Sequence, residues 1–250
     1  MTSTSPHASD QATAPTDAPA PVEITVRGTS RQFHPAERAT VHAGVGLEGP
    51  EAGRVYDAVA EQFAVVQASI VSLHEPDRGP VTWWSSQDVR TWSNRPWNKD
   101  GVQLPLVHHA RTDLQVKFSD FARMSAWLSD MAGITGFHVE YVEWSLTVHR
   151  RQELARAART RAVRDAQAKA QAYAEALKLG PIVPVSLAEA GMLAEGLHPI
   201  GESSAPFTRA AKLAGGDAEL QLVPQDIDVT ASVDARFVAG MAAAHTAGVR

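Results

Sequence analysis

Residues 152–179 run without Gly or Pro, consist almost wholly of strong helix formers, and stop at Gly180-Pro181. Helix propensity and a Gly-Pro stop together predict one long helix, roughly 42 Å in length at 1.5 Å per residue. Around the wheel, Ala155, Ala158, Ala162, Ala166, Ala170, Tyr173 and Leu177 fall on one face. Arg156, Thr160, Arg164, Gln167, Gln171, Glu175 and Lys178 fall on the other. A stripe made mostly of methyl groups suits close approach to a sheet rather than a thick leucine-rich core. Asp165 and Lys169 stand one turn apart, acid first, the favourable order for an ion pair.

The rest of the chain must supply that sheet. Structure is expected to begin at Val22, after a Ser/Thr/Ala/Pro/Asp-rich stretch, 1–21, that has too little apolar surface to offset its ordering entropy. That stretch has neither the basic start nor the apolar run of a signal peptide, and no later segment has the apolarity of a membrane span, so a cytoplasmic location is the expectation. Residues 22–28 alternate as a half-buried strand does. A second strand follows over 38–47 after His34-Pro35-Ala36-Glu37, and so short a link predicts an antiparallel hairpin. A helix over 51–73 carries Val55, Val59, Phe63, Val66 and Ile70 at helical spacing.

A second hairpin is expected over 81–118, and it holds four of the six tryptophans. Simple alternation would put Trp84 and Trp92 on one face, and Trp83 with Val81 and Val89 on the other. Ser119-Asp120 caps a helix over 121–132, closed by Gly133 and Gly136. A strand over 137–148 leads into the long helix. Next come a short strand over 182–187, with Pro184 marking an edge or bulge, and a Gly/Ala/Ser/Pro-rich loop over 188–224 with one short helix near 207–213. The last strand spans 226–237, and 240–250 is a tail. The fold class is α+β: an antiparallel or mixed sheet of two hairpins and later strands, packed by three helices, in one domain over 22–239.

Three stretches in this order resemble the SIMPL-domain family: the Ile24-Thr25-Val26-Arg27-Gly28 strand, the Ala162–Ala170 run continued by Ala174-Glu175-Ala176-Leu177, and the closing Asp226–Val233 strand. The likeness covers about 22–238, and its most specific part is the Asp-Ala-x-Ala-Lys-Ala run at 165–170. The family is largely of unknown function. Many bacterial members are exported to the envelope, and at least one assembles into a large hollow ring, so the resemblance implies a homo-oligomer.

The residues point to no reaction. A net charge of -5 argues against a general nucleic-acid binder, and the absence of cysteine excludes thiolate chemistry and disulfides. No phosphate loop, zinc helix or nucleophile elbow is present, and Gly201-Glu202-Ser203-Ser204 only echoes the last of these. His108 and His109 are adjacent and so point apart on a strand. His138 shares a face with Glu140, and His34 could meet His42 across the first hairpin. Two ligands do not make a structural zinc site, so no metal or other cofactor is expected. Glu140 and Glu143 alternate to opposite faces, a poor start for paired-carboxylate catalysis. The reading is a non-enzymatic protein that assembles with itself or a protein partner, its candidate surface being Trp84, Arg90, Trp92, Arg95 and Trp97. Indoles beside guanidinium groups suit a partner's hot spot or a stacking platform for a ring-bearing ligand, and cross-strand packing is the plain alternative. A ligand-binding module using the hairpin 81–118 is the rival function.

Overall fold

The computed structural model describes residues 21–97, 103–193 and 222–240. The tails, the tip of the Trp-rich hairpin at 98–102, the Gly201–Ser204 echo and the short helix expected near 207–213 lie outside the described residues. In chain order the elements are β1 (Val22–His34), β2 (Arg38–Gly49), α1 (Ala52–Leu73), β3 (Val81–Ser86), β4 (Arg90–Asn94), β5 (Val107–Phe118), α2 (Phe121–Met131), β6 (Phe137–Ser145), α3 (Val148–Ala176), β7 (Ile182–Glu189) and β8 (Ile227–Ala239). The α+β class holds. The contacts gather into two compact units: residues up to Ser30, from Arg159 into the 190s and from Ala231 onward form one, and Arg31–Ala158 with the chain up to Thr230 form the other.

The first unit is built on a three-stranded sheet in the order β1-β8-β7. Ile24 and Val26 of β1 and Val233, Ala235, Phe237 and Ala239 of β8 are buried with Ala162, Ala166, Ala170 and Ala174 of α3. The buried stripe of α3 therefore steps by four throughout. It ends on Ala174, not on Tyr173 and Leu177, which are 57% and 61% exposed. Four residues turn the helix by about 400°, so such a row drifts about 40° per step and follows an inclined ridge rather than the helix axis. Methyl groups on that ridge let β1 come very close: a Cβ on Gly28 would lie 2.0 Å from the Ala162 carbonyl oxygen and 2.7 Å from Ala166 Cβ.

At that point Asp165 and Lys169 do more than pair with each other at 2.6 Å. The Thr29 N–H donates to Asp165 at 2.8 Å and Lys169 donates to the Arg27 carbonyl at 3.0 Å, so the two side chains cap the backbone of β1 on either side of Gly28. The helix stops at Ala176, three residues before the expected end at Leu179. Lys178 takes a left-handed φ of 57°, and the Leu179 and Lys178 N–H groups return to the Ala174 and Glu175 carbonyls, a Schellman closure without glycine.

The first hairpin does not form. β1 pairs with β8, while β2 lies in the five-stranded sheet. Charge pairs mark the β1–β8 register: Glu23 with Arg236, Arg27 with Asp234 and Arg31 with Asp228. As one number rises the other falls, which is antiparallel pairing. Pro184 behaves as expected, on an edge strand with a register shift between Pro184 and Ser186.

The second unit holds the sheet β3-β5-β2-β6, with β4 also paired to β5. Its inward face places Ala39, Val41, Ala43 and Val45 of β2 and Ala110, Leu114, Val116 and Phe118 of β5 in one core with α1 and α2. α1 buries Val55, Val59, Val66 and Ile70, as its spacing predicts. Asp120 caps α2 by accepting the Arg123 N–H. α3 begins at Val148, four residues early, because Thr147 Oγ1 accepts the Arg150 N–H while Thr147 itself donates to Glu37. β6 accordingly stops at Ser145.

Candidate functional site

Alternation on β2 and β5 turns one side of each strand away from the core. Thr40, His42, Gly44 and Gly46 come from β2, and His109, Arg111, Asp113, Gln115 and Lys117 from β5. This outer face is polar, and its charges are paired across strands. Arg111 donates to Asp113 at 2.6 Å and also to Glu140 on β6, and Arg90 on β4 donates to the other oxygen of Asp113. The Asp113 hydrogen bond, reinforced by Glu140, drives the Arg111 guanidinium further toward its charged form. Gly44 makes room for the network: a Cβ there would stand 3.0 Å from Asp113 Oδ1 and 3.1 Å from His138 Cε1.

Three irregularities decide which side chains reach this face, and two of them reverse the alternation expected from sequence. Between Ser86↔Leu114 and Arg90↔Arg111, residues 87–89 stand against only 112 and 113, so the parity of the strand flips. The buried Thr112 hydroxyl holds the detour by donating to the Gln87 carbonyl at 2.8 Å. A second shift lies between Val81 and Trp83. As a result Trp84 packs against the core with Val81 and Val89, Trp83 turns outward, and Trp84 and Trp92 do not share a face. On β6 the third irregularity leaves Glu140 as the extra residue between Val139↔Ala43 and Tyr141↔His42. Glu140 and Glu143 therefore both reach outer-face partners, Arg111 and His42.

Of the candidate surface residues, the structure brings Arg90 and Trp92 together on this face. Trp92 lies flat on His109, with centroids 5.1 Å apart and planes within 4°. The imidazole beneath is held at both nitrogens, by Asn94 at 2.6 Å and Glu48 at 3.2 Å. Trp92 is 50% exposed, Trp83 43% and Trp97 80%. Arg95 donates to the Leu104 carbonyl at 2.9 Å and so ties together the two arms of the hairpin's distal end. Trp83 takes the outward role assigned to Trp84, with the Lys117 ammonium 5.3 Å from its ring centroid.

His42 stacks on Tyr141 at 4.1 Å, with its Nε2 3.6 Å from Glu143. His138 Nδ1 lies 3.2 Å from the Gly136 carbonyl, and its Nε2 is buried without a hydrogen-bond partner. His34 and His42 are not neighbours across a hairpin, because their strands belong to different sheets. Among the described residues no group of three His, Asp or Glu side chains could hold a metal ion. The Asp113 and Glu140 carboxylates are both engaged by arginine, so neither is placed as a free base. Sequence reasoning weighed His109 only as a metal ligand and missed Arg111, Asp113 and Lys117, although their period-two polar row was visible.

Fold and face thus define an α+β protein whose five-stranded sheet carries a charge-paired outer surface with exposed aromatic rings. Over residues 24–237 the chain matches the SIMPL family, described as a protein of unknown function (DUF541), and it belongs to that family. No curated protein matches the chain. No described helix is long and apolar enough to cross a membrane.

Proposed function

We propose that this SIMPL protein is a non-enzymatic interaction protein that assembles with copies of itself or with a protein partner, using the Trp-rich outer face of its five-stranded sheet. The observation that carries this reading is the exposure of three indoles of one hairpin, Trp83, Trp92 and Trp97, the second of them on the face where Arg90, Arg111, Asp113 and Glu140 already satisfy one another. Such charges cost less to cover than unpaired ones would, because burial leaves each with its partner. The indoles supply apolar area with little side-chain entropy to lose. Two clefts, one at the start of α1 around Pro50 and Arg54 and one between the end of α1 and the start of α2, contain no tryptophan.

A small-ligand platform is the second reading, favoured by the fixed parallel stack of Trp92 on His109. Light scattering on the full chain separates the two. Assembly gives a mass that is a multiple of 26.8 kDa, whereas a monomer at every concentration and in the presence of host extract removes the assembly reading. Changing Trp92 and Trp97 together to Ala should lower the assembly state and leave the thermal midpoint in place. A drop in midpoint with unchanged mass would instead assign these rings to packing.

A further inference from the structure

The overall charge of -5 hides a strong asymmetry. Residues 150–164 hold six of the 23 Lys and Arg and one of the 28 Asp and Glu, so this stretch carries +5 and the rest of the chain -10. All of it lies in α3, one unbroken helix from Val148 to Ala176, and helix geometry therefore fixes the spacing. Arg151, Arg156, Arg159, Arg161 and Arg164 are exposed, whereas Leu154, Ala158 and Ala162 are buried. At 100° per residue Arg156 and Arg164, with Thr160 between them, point directly away from that buried row. Arg159 and Arg161 stand about 90° to either side of it.

This arrangement works against the helix that carries it. Arg156 and Arg159 are three residues apart, as are Arg161 and Arg164, and like charges at that spacing repel. The first turn holds Arg150 and Arg151 and no acid, the wrong sign for the positive end of the helix dipole. The second half of α3 is built the ordinary way, with Asp165 paired to Lys169 and Gln171 donating to Glu175. Arg150 pairs with Glu153, and Arg159 reaches Glu189 at 4.0 Å. Arg151, Arg161 and Arg164 make no ion pair among the described residues. A solvated face normally mixes both signs, and a single-sign row that costs stability calls for a counter-charge.

We infer that the Arg156–Arg164 face of α3 binds the phosphate backbone of duplex DNA, with the helix lying in the major groove. Four guanidinium groups over roughly 12 Å of helix give one charge per about 3–4 Å, close to the roughly 3.4 Å per phosphate of a single strand in the duplex. The shape agrees as well. Charge covers the crest and both flanks of a helix about 10–12 Å across, and a B-form major groove is about 12 Å wide with phosphates on both rims. A flat bilayer would meet the crest and leave Arg159 and Arg161 at its sides. Nor does any exposed large apolar side chain fall between 149 and 164 to enter it. Contacts to phosphate carry no sequence information, so the binding is non-specific. The -10 carried by the other residues opposes DNA and keeps the complex weak. This surface shares no residue with the Trp-rich face, and the inference does not rest on the assembly reading.

Fluorescence anisotropy of the full chain on a labelled DNA duplex tests it. With about four phosphates neutralised, log Kd should rise with log salt at a slope of about 3.6, a loss of about a hundredfold between about 50 and 200 mM. Arg161→Gln together with Arg164→Gln should cut that slope to about 1.8. Its thermal midpoint should hold, because glutamine is a good helix former and no ion pair is lost. Arg78→Gln with Arg123→Gln removes two exposed charges outside α3 and should leave the slope as it was. An RNA duplex of the same sequence, whose major groove is too narrow to admit a helix, should bind at least about tenfold more weakly. Three results would overturn the inference. One is no binding to DNA in low salt, and another is a slope that the two double variants lower equally. The third is an RNA duplex, or vesicles of equal parts phosphatidylserine and phosphatidylcholine, bound as tightly as DNA.

Discussion

Adding one methyl group to Gly28 should be among the most damaging small changes this chain can suffer. An alanine Cβ would sit 2.0 Å from the Ala162 carbonyl oxygen and 2.7 Å from both Ala166 N and Cβ. Real Cβ contacts start above 3 Å, so β1 and α3 must separate by about 1 Å, and the obstacle is helix backbone rather than a side chain that can swing aside. Overpacking of this kind costs about 1–3 kcal/mol, and a rigid obstacle puts it at the upper end. Separation also lengthens the two bonds from α3 to the Arg27 carbonyl and the Thr29 N–H. Asp165 and Lys169 are 35% and 42% exposed, which limits their joint loss to about 1 kcal/mol. Lower unfolded-state entropy returns about 0.5–1 kcal/mol. The net is a destabilisation of about 3 kcal/mol, or a fall in thermal midpoint of about 6–12 °C for a chain of this size. Gly53→Ala is the matched control, because its Cβ meets nothing within 4 Å and it sits in α1. It should be neutral or stabilising by up to about 1 kcal/mol. Differential scanning calorimetry on both variants settles the matter: equal midpoints for Gly28→Ala and Gly53→Ala would refute the close-approach argument.

Two further predictions concern the same unit and its carboxylates. Ala166→Leu should cost about 1–3 kcal/mol and Gln167→Leu less than about 0.5 kcal/mol, because the first is fully buried and the second exposed; reversed denaturant midpoints would mean the helix is rotated. The hydrogen bond from Arg27 lowers the Asp234 pKa, that from Lys169 lowers Asp165, and that from Thr147 lowers Glu37. A depressed carboxylate contributes its stability above the unfolded value, near about 4, and loses it as pH falls through the folded one. Denaturant midpoints should thus hold from pH 7 to about 5 and decline below about 4, less steeply in Asp234→Asn. A loss centred between pH 6 and 7 would move the cause to the histidines.

The helices were legible because periodicity, caps and stops are local signals: Val55 to Ile70, Asp120 and the alanine row all sit where spacing puts them. Faces on the strands were not, because one inserted residue reverses everything after it. The detour at 87–89 moved Trp92 away from the face of Trp84, and the extra Glu140 put two glutamates on one side. Neither insertion has a glycine or proline to announce it; Thr112, the hydroxyl that holds the first, lies on the opposite strand. The missing first hairpin had a readable clue. Glu23, Arg27 and Arg31 match Arg236, Asp234 and Asp228 when the last strand is read backwards, a charge code that outweighs the short link to β2. The candidate surface was half legible, since composition drew attention to the tryptophans but not to the period-two row beneath them.

The pairing of β1 with β8 sets a schedule for synthesis. Arg27 and Asp234 are 207 residues apart. At about 5–20 residues per second, β1 leaves the ribosome some 10–40 s before its strand partner exists. Its α3 caps, Asp165 and Lys169, arrive earlier than β8 but still long after it. Throughout that interval the nascent strand has Ile24 and Val26 exposed with backbone groups free on both sides. Glu23, Arg27 and Arg31, spaced four apart, keep the waiting segment charged and discourage it from pairing with the β1 of a neighbouring nascent chain. The residues that later fix its register are the same ones that keep it soluble until β8 appears.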